Sequence, residues 1–91
     1  MRFYHECIKV ANSVELLFTE EQRALFIEAD LIHLCEYESS VGMWIQRRIL
    51  PHNSYLHNAL TVLGYTEFED MSFFLLEFTQ RYWKLKRADL M

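Results

Sequence analysis

The chain has 91 residues, 52% of them hydrophobic and 15% aromatic, and a formal net charge of −4. This apolar content excludes an intrinsically disordered chain, and the length predicts one domain over residues 1–91. Only two glycines and one proline occur, too few for the many turns of an all-β protein, so the composition predicts an all-α fold of about five helices.

Two helices are predicted in the N-terminal third. Apolar residues recur at the 3–4 spacing of an amphipathic helix over residues 4–18. A second helix is predicted to begin after Thr19, because Thr19 is a good N-cap and Gln22 occupies the N3 position of a capping box. This helix is expected to run to about Glu28. Its expected buried residues are Leu25 and Phe26.

The longest predicted helix begins after Asp30, a suitable N-cap, and runs to about Leu50. Pro51 ends it, since proline disfavours the helical conformation in the preceding residue. A stripe containing Tyr37 and Trp44 lies beside its inner face. That inner face is predicted to consist of Leu31, Leu34, Val41, Ile45 and Ile49.

Gly42 lies inside this helix, where glycine costs about 1 kcal/mol relative to alanine and therefore needs a reason. A catalytic kink is not supported, because the chain has neither a glycine-rich phosphate loop nor the motif of a nucleophile elbow. We interpret Gly42 as a packing site. Ser39, Val41 and Ile45 complete a shallow strip against which another helix, or the ring of Trp44, is expected to lie.

Two further helices complete the prediction. Asn53 or Ser54 caps the fourth helix, and Gly64 suits the left-handed position that closes it. A final helix over about 70–86 is apolar on more than one side and is expected to be central. Leucines expected to point inward from these helices include Leu56, Leu60, Leu63, Leu75 and Leu85.

Neither a metal site nor a cofactor is predicted. His5 with Cys7, and His33 with Cys35, are two residues apart, and on a helix that spacing points the two side chains in nearly opposite directions. Both cysteines are expected to be free and buried, in a cytoplasmic protein without a signal peptide or a membrane span. The acidic balance also disfavours nucleic-acid binding.

Binding to a basic protein partner fits the composition best, because acidic residues speed the capture of a cationic partner, and Tyr, Trp and Arg are common interface anchors. The residues expected to bind the partner are Glu20, Glu21, Glu36, Tyr37, Ser40, Trp44 and Arg47.

Four motifs carry a resemblance to a known pattern: LFTEEQ (17–22), LIHL (31–34), GMWIQR (42–47) and EDMSFFLLEF (69–78). Through them, the stretch from Leu17 to Lys84 resembles a poorly characterised family of small bacterial helical proteins. Gln46 departs from that pattern, in which an arginine is usual, and the turn after the long helix is poorer in glycine. The resemblance supplies no catalytic residues. It implies a character similar to that of the immunity proteins of bacterial toxin systems.

The expected function is therefore inhibition of a toxin, such as a nuclease, by covering its active site. Two alternatives to this function stay open. In the first, the chain is a small regulatory or scaffold subunit that forms a homodimer through the third or last helix. In the second, it is a His- or metal-dependent enzyme.

Overall fold

The computed structural model describes residues 1–89, which form six α-helices and no β-strand. The all-α prediction is confirmed. The sixth helix arises because the predicted long third helix is divided into two. Two 3-10 turns, Tyr37–Ser39 and Leu50–His52, flank the second of these. The helices are α1 (Arg2–Glu15), α2 (Glu20–Glu28), α3 (Leu31–Glu36), α4 (Val41–Arg48), α5 (Ser54–Val62) and α6 (Phe68–Asp89).

Helix α6 is the element around which the core forms, because it packs against α1, α2, α3 and α4. It contributes Met71, Leu75, Leu76 and Trp83 to the interior, each at most 4% exposed. The other helices turn their apolar faces towards this surface, so the core is continuous. Their buried side chains include Cys7, Val10, Val14, Phe26, Ile27, Leu34, Ile45, Leu56 and Leu60.

The prediction of one helix from Asp30 to Leu50 is wrong at residues 37–40. Ser39 Oγ donates to the carbonyl of Glu36 at 3.2 Å, and Ser40 Oγ donates to that of Tyr37 at 3.3 Å. Such short-range bonds compete with the helical backbone bonds. At Ser40 the backbone departs from ideal helical angles, with φ −119° and ψ −79°, and α4 begins at the next residue.

The predicted N-caps are confirmed. At α2, the backbone N–H of Gln22 donates to Thr19 Oγ1 at 3.1 Å, and Gln22 Oε1 accepts from the N–H of Thr19 at 2.8 Å. Asp30 caps α3 through a 2.9 Å bond from a backbone N–H. Of the two candidates for α5, Asn53 is the cap, and its side chain also donates to Glu6 of α1 at 3.0 Å.

The C-terminus of α2 is held by a residue that gave no sequence signal. Gln80 of α6 places its amide nitrogen 2.7 Å from the carbonyl oxygen of Ala29 and 3.0 Å from that of Phe26. Carbonyls at the end of a helix lack intrahelical partners, so a side-chain donor there is stabilising. This contact fixes the turn between α2 and α3 against the central helix.

Several residues that were predicted to be buried are exposed. Helix α2 turns Phe26 and Ile27 inward, which leaves Leu25 69% exposed on the opposite side. The short helix α3 buries only Leu34 fully, so its first turn is open. The exposed residues that contradict the prediction are Leu25, Leu31, Cys35, Leu63 and Leu85.

Gly64 closes α5 as predicted. Its φ of +106° is the one positive φ among the described residues. The N–H of Gly64 donates to the carbonyl of Thr61, and the N–H of Tyr65 donates to that of Leu60, both at 3.0 Å. This pair of bonds is the Schellman arrangement, which satisfies the last carbonyls of a helix.

Gly64→Ala is expected to lower the free energy of unfolding by about 1–2 kcal/mol, because an L side chain is disfavoured at positive φ. A Cβ at this position would meet no neighbouring atom, so the cost arises from the backbone alone. Urea unfolding measures it, with Thr66→Ala in the same exposed turn as the control. Equal stability of the two variants would contradict the assignment.

Candidate partner-binding surface

An open groove lies between the end of α1, helix α2 and helix α4, with a volume of about 440 Å³. We call it the apolar groove, because most of its lining atoms belong to apolar side chains. Tyr37 and Ser40 approach from the turn after α3. The apolar groove is lined by Leu17, Phe18, Gln22, Leu25, Tyr37, Ser40, Val41 and Trp44.

A second groove of about 630 Å³ adjoins the first, because both include Leu25, Tyr37 and Ser40 in their walls. We call it the acidic groove. Its charged residues come from the end of α2 and from α3, and the carboxylates outnumber the cations. These titratable residues are Glu28, Asp30, His33 and Glu36.

The structure brings four of the seven predicted binding residues together. Tyr37, Ser40 and Trp44 line the apolar groove, and Glu36 lines the acidic groove beside them. The other three lie elsewhere. Glu20 lines a separate cleft on the far side of α2, while Glu21 and Arg47 are exposed and line neither groove.

Hydrogen bonds favour the ionised form of two carboxyls in the acidic groove, and each of the two is paired with a basic side chain. His33 donates its backbone N–H to Asp30 at 2.9 Å, and this bond lowers the pKa of the Asp30 carboxyl. The side-chain bond between His33 Nδ1 and Asp30, at 2.7 Å, raises the pKa of the imidazole. Arg87 lowers the pKa of Glu28 through a hydrogen bond. All these groups are exposed, so salt screens their attraction for a partner.

Tyr37 lines both grooves, and two aromatic contacts hold its ring in place. Its ring stacks on Phe18, with centroids 5.9 Å apart, and meets Phe26 edge-on at 5.0 Å. Phe26 is fully buried and also contacts Trp83 of α6 at 5.3 Å. The surface at Tyr37 is therefore continuous with the core, which fixes the position of this ring.

The apolar part of this surface was missed by the sequence analysis. Leu17 and Leu25 fitted the buried faces of their helices by spacing, yet they are 42% and 69% exposed. Leu31 and Ile32, at the start of α3, are also exposed, Ile32 at 75%. Exposed apolar side chains that gather in one patch mark interaction sites in soluble proteins, and Leu17 and Leu25 line the same groove. Spacing alone cannot reveal them, because it does not show which faces find a neighbour.

Glu38 lies partly buried between the turn and α6. Its Oε1 accepts hydrogen bonds from the buried Ser72 hydroxyl and, at 3.2 Å, from the amide of Gln46. Its Oε2 is buried and has no partner among residues 1–89. Burial raises the pKa of Glu38, and the nearby Glu69 and Asp70 carboxylates add to this effect.

Gly42 is buried, as a packing site requires, but the group against it is neither another helix nor the ring of Trp44. A Cβ built on Gly42 would lie 2.6 Å from Cδ of Glu38, well inside van der Waals contact. A side chain at this position would therefore displace the Glu38 carboxyl from its hydrogen bonds with Ser72 and Gln46.

The cysteines and histidines do not form a metal site in the described part of the chain, where no group of three His, Cys, Asp or Glu residues could hold an ion. Both cysteines are free. Cys7 is buried, and desolvation raises the pKa of its thiol to about 12. Cys35 is exposed, which corrects the expectation that both thiols are buried. None of the helices in residues 1–89 is long and apolar enough to cross a bilayer.

Gly42→Leu is expected to lower the free energy of unfolding by about 1–3 kcal/mol, because the new side chain overlaps Glu38 and expels it from its hydrogen bonds. Arg47→Leu, at an exposed position of the same helix, is the control. Denaturant unfolding of both proteins tests this, and unchanged stability of Gly42→Leu would show that Glu38 can move away without loss.

Glu38→Gln is expected to gain stability relative to the natural protein as pH rises. The folded-state pKa of Glu38 lies above its ordinary value of 4.5, so the unfolded chain ionises first and stability falls through that window. Glutamine keeps the shape and stays neutral. Unfolding of both proteins from pH 4 to pH 8 measures the difference, with Glu36→Gln as the exposed control. A difference that shrinks with pH would mean that the folded state prefers the anion.

Comparison with known proteins identified no relative: no protein-family model, curated protein or solved structure matched the chain. The resemblance carried by residues 42–47 and the three other motifs stays a prediction. The two adjoining grooves, and the residues that line them, are consequently the basis on which a function is proposed.

Proposed function

We propose that this protein binds and inhibits a basic protein partner, as the immunity protein of a bacterial toxin in the cytoplasm. One observation carries the proposal. An apolar groove and an acidic groove share Leu25, Tyr37 and Ser40 in their walls, and the exposed side chains of Leu17 and Leu25 lie in the apolar groove beside the carboxylates. Exposed apolar side chains beside carboxylates fit a protein surface that presents an apolar anchor surrounded by arginines or lysines.

The two grooves have different roles in this mechanism. An apolar or aromatic side chain of the partner enters the apolar groove and contacts Leu25 and Trp44, and its burial supplies most of the affinity. Glu36, which has no ion-pair partner among residues 1–89, attracts cations of the partner and speeds association, whereas Glu28 and Asp30 are already paired with Arg87 and His33. An exposed ion pair with the partner contributes only about 0–1 kcal/mol. Inhibition follows by occlusion, since a cationic cleft that binds nucleic acid is covered by the bound protein.

Co-expression with the product of the adjacent gene tests the function directly. That product alone is expected to stop the growth of the host cell, and co-expression of this protein is expected to restore it. The purified pair is expected to form a complex whose affinity falls as salt rises, because the charges on the acidic groove are exposed. A neighbouring product that is harmless and does not bind would overturn the proposal.

Two variants test the surface in the same pair. Trp44→Ala is expected to weaken binding by about 30-fold or more, as loss of a central aromatic anchor does. Glu36→Lys is expected to slow association by about tenfold at low salt and to reduce the salt dependence.

Glu67→Lys is the matched control, since Glu67 is exposed in the α5–α6 turn and lines neither groove. Circular dichroism confirms the fold of each variant. If Glu67→Lys weakens binding as much as Glu36→Lys, only the net charge matters and the acidic groove is not the site.

A further inference from the structure

The outer face of α6 carries a third groove, of about 640 Å³, which extends to the α5–α6 turn at Gly64 and Tyr65. Phe73, Phe74 and Phe78 line it, and each packs against the core while remaining partly accessible. Partly accessible phenylalanines that line one groove form an apolar surface that a partner can cover.

Three charged residues and one phenylalanine of this face lie along one line of the helix. Asp70, Phe74, Glu77 and Arg81 are separated by four, three and four residues, which places them along one stripe of the helix. An acid stands at one end of the stripe and a cation at the other, about 16 Å apart at 1.5 Å per residue. Both end residues are exposed.

We propose that this face of α6 pairs, antiparallel, with the same face of a second copy of the chain. A two-fold axis beside Leu75 and Leu76 places Asp70 of each copy opposite Arg81 of the other. Phe74 then lies opposite the methylene groups of Glu77 of the second copy. The face is complementary to itself, as a two-fold interface requires.

The ends of the helix support this register. Leu85 is 63% exposed and lies one helical turn beyond Arg81. In the antiparallel pair it comes opposite the α5–α6 turn of the second copy, where Leu63 is also exposed. The pairing therefore covers apolar side chains at both ends as well as the phenylalanines of the middle.

The charge pattern favours a second copy over a different protein. The acidic groove has three carboxylates at Glu28, Asp30 and Glu36, so two such surfaces repel one another. The α6 face carries both signs at symmetric positions and attracts its own copy. The two surfaces share no lining residue, so a dimer through α6 leaves both partner-binding grooves open.

Sedimentation equilibrium of the purified protein over a wide concentration range tests this pairing. A reversible species of twice the 11.0 kDa chain mass is expected. Arg81→Asp and Asp70→Arg each create two repulsive contacts per dimer, and each is expected to raise the dimer dissociation constant about tenfold or more. The double variant that exchanges the two charges is expected to restore dimerisation, which a merely misfolded protein would not do.

Lys86→Asp is the control, because it changes the charge of α6 by the same amount at an exposed position that lines the cleft beside Glu20, on another side of the helix. It is expected to leave the dissociation constant unchanged. A monomer at every concentration overturns the proposal. Dimerisation that Arg81→Asp does not weaken, or that the charge exchange does not restore, assigns the contact to another face and also overturns it.

Discussion

The aromatic cluster of Phe18, Phe26, Tyr37 and Trp83 is the interaction on which the rest of this structure depends. Its ring centroids lie 5.0 to 5.9 Å apart and join the segment after α1, helix α2, the turn after α3 and helix α6. Such pairs contribute about 0.5–1.5 kcal/mol each beyond the burial of their area, a large share of the stability of a small protein. Because Tyr37 is held in this cluster, the turn that carries Ser40 has a defined position. The two grooves, which both include Tyr37 and Ser40, are therefore fixed in position as well.

The Glu38 carboxyl holds the other side of that turn, and its hydrogen bonds compensate only part of the free-energy cost of burying it. One oxygen of Glu38 is hydrogen-bonded, and the other is buried without a partner among the described residues. A buried carboxyl without a cation is costly when ionised, so the turn is sensitive to protonation and to any side chain added at Gly42. The stability of the core and the shape of the proposed binding surface are therefore coupled at one turn. Under both proposals, a dimer through α6 would present two such surfaces and capture two partner molecules.

Local chemistry was sufficient for the parts of the fold that depend on near neighbours. The caps at Thr19, Asp30 and Asn53 and the left-handed Gly64 were predictable, since each is decided by residues within about four positions. The candidate site was predictable in part. The aromatic and serine residues of the Tyr37–Trp44 segment do line one groove, but the exposed leucines that complete it were assigned to the core, because helical spacing identifies an apolar face and not its neighbour.

The sequence by itself determined that this protein is built of helices, where most of them begin, and that an apolar helix near the C-terminus is central. Only the tertiary structure decided which apolar faces are covered, because burial depends on distant segments of the chain. Gln80 reaches the end of α2, and Ser72 meets Glu38 across 34 positions of sequence. The break before α4 has both origins. The hydroxyls of Ser39 and Ser40 bond to nearby carbonyls, and Tyr37 and Glu38 just before them are held by Phe26 and by Ser72 of α6.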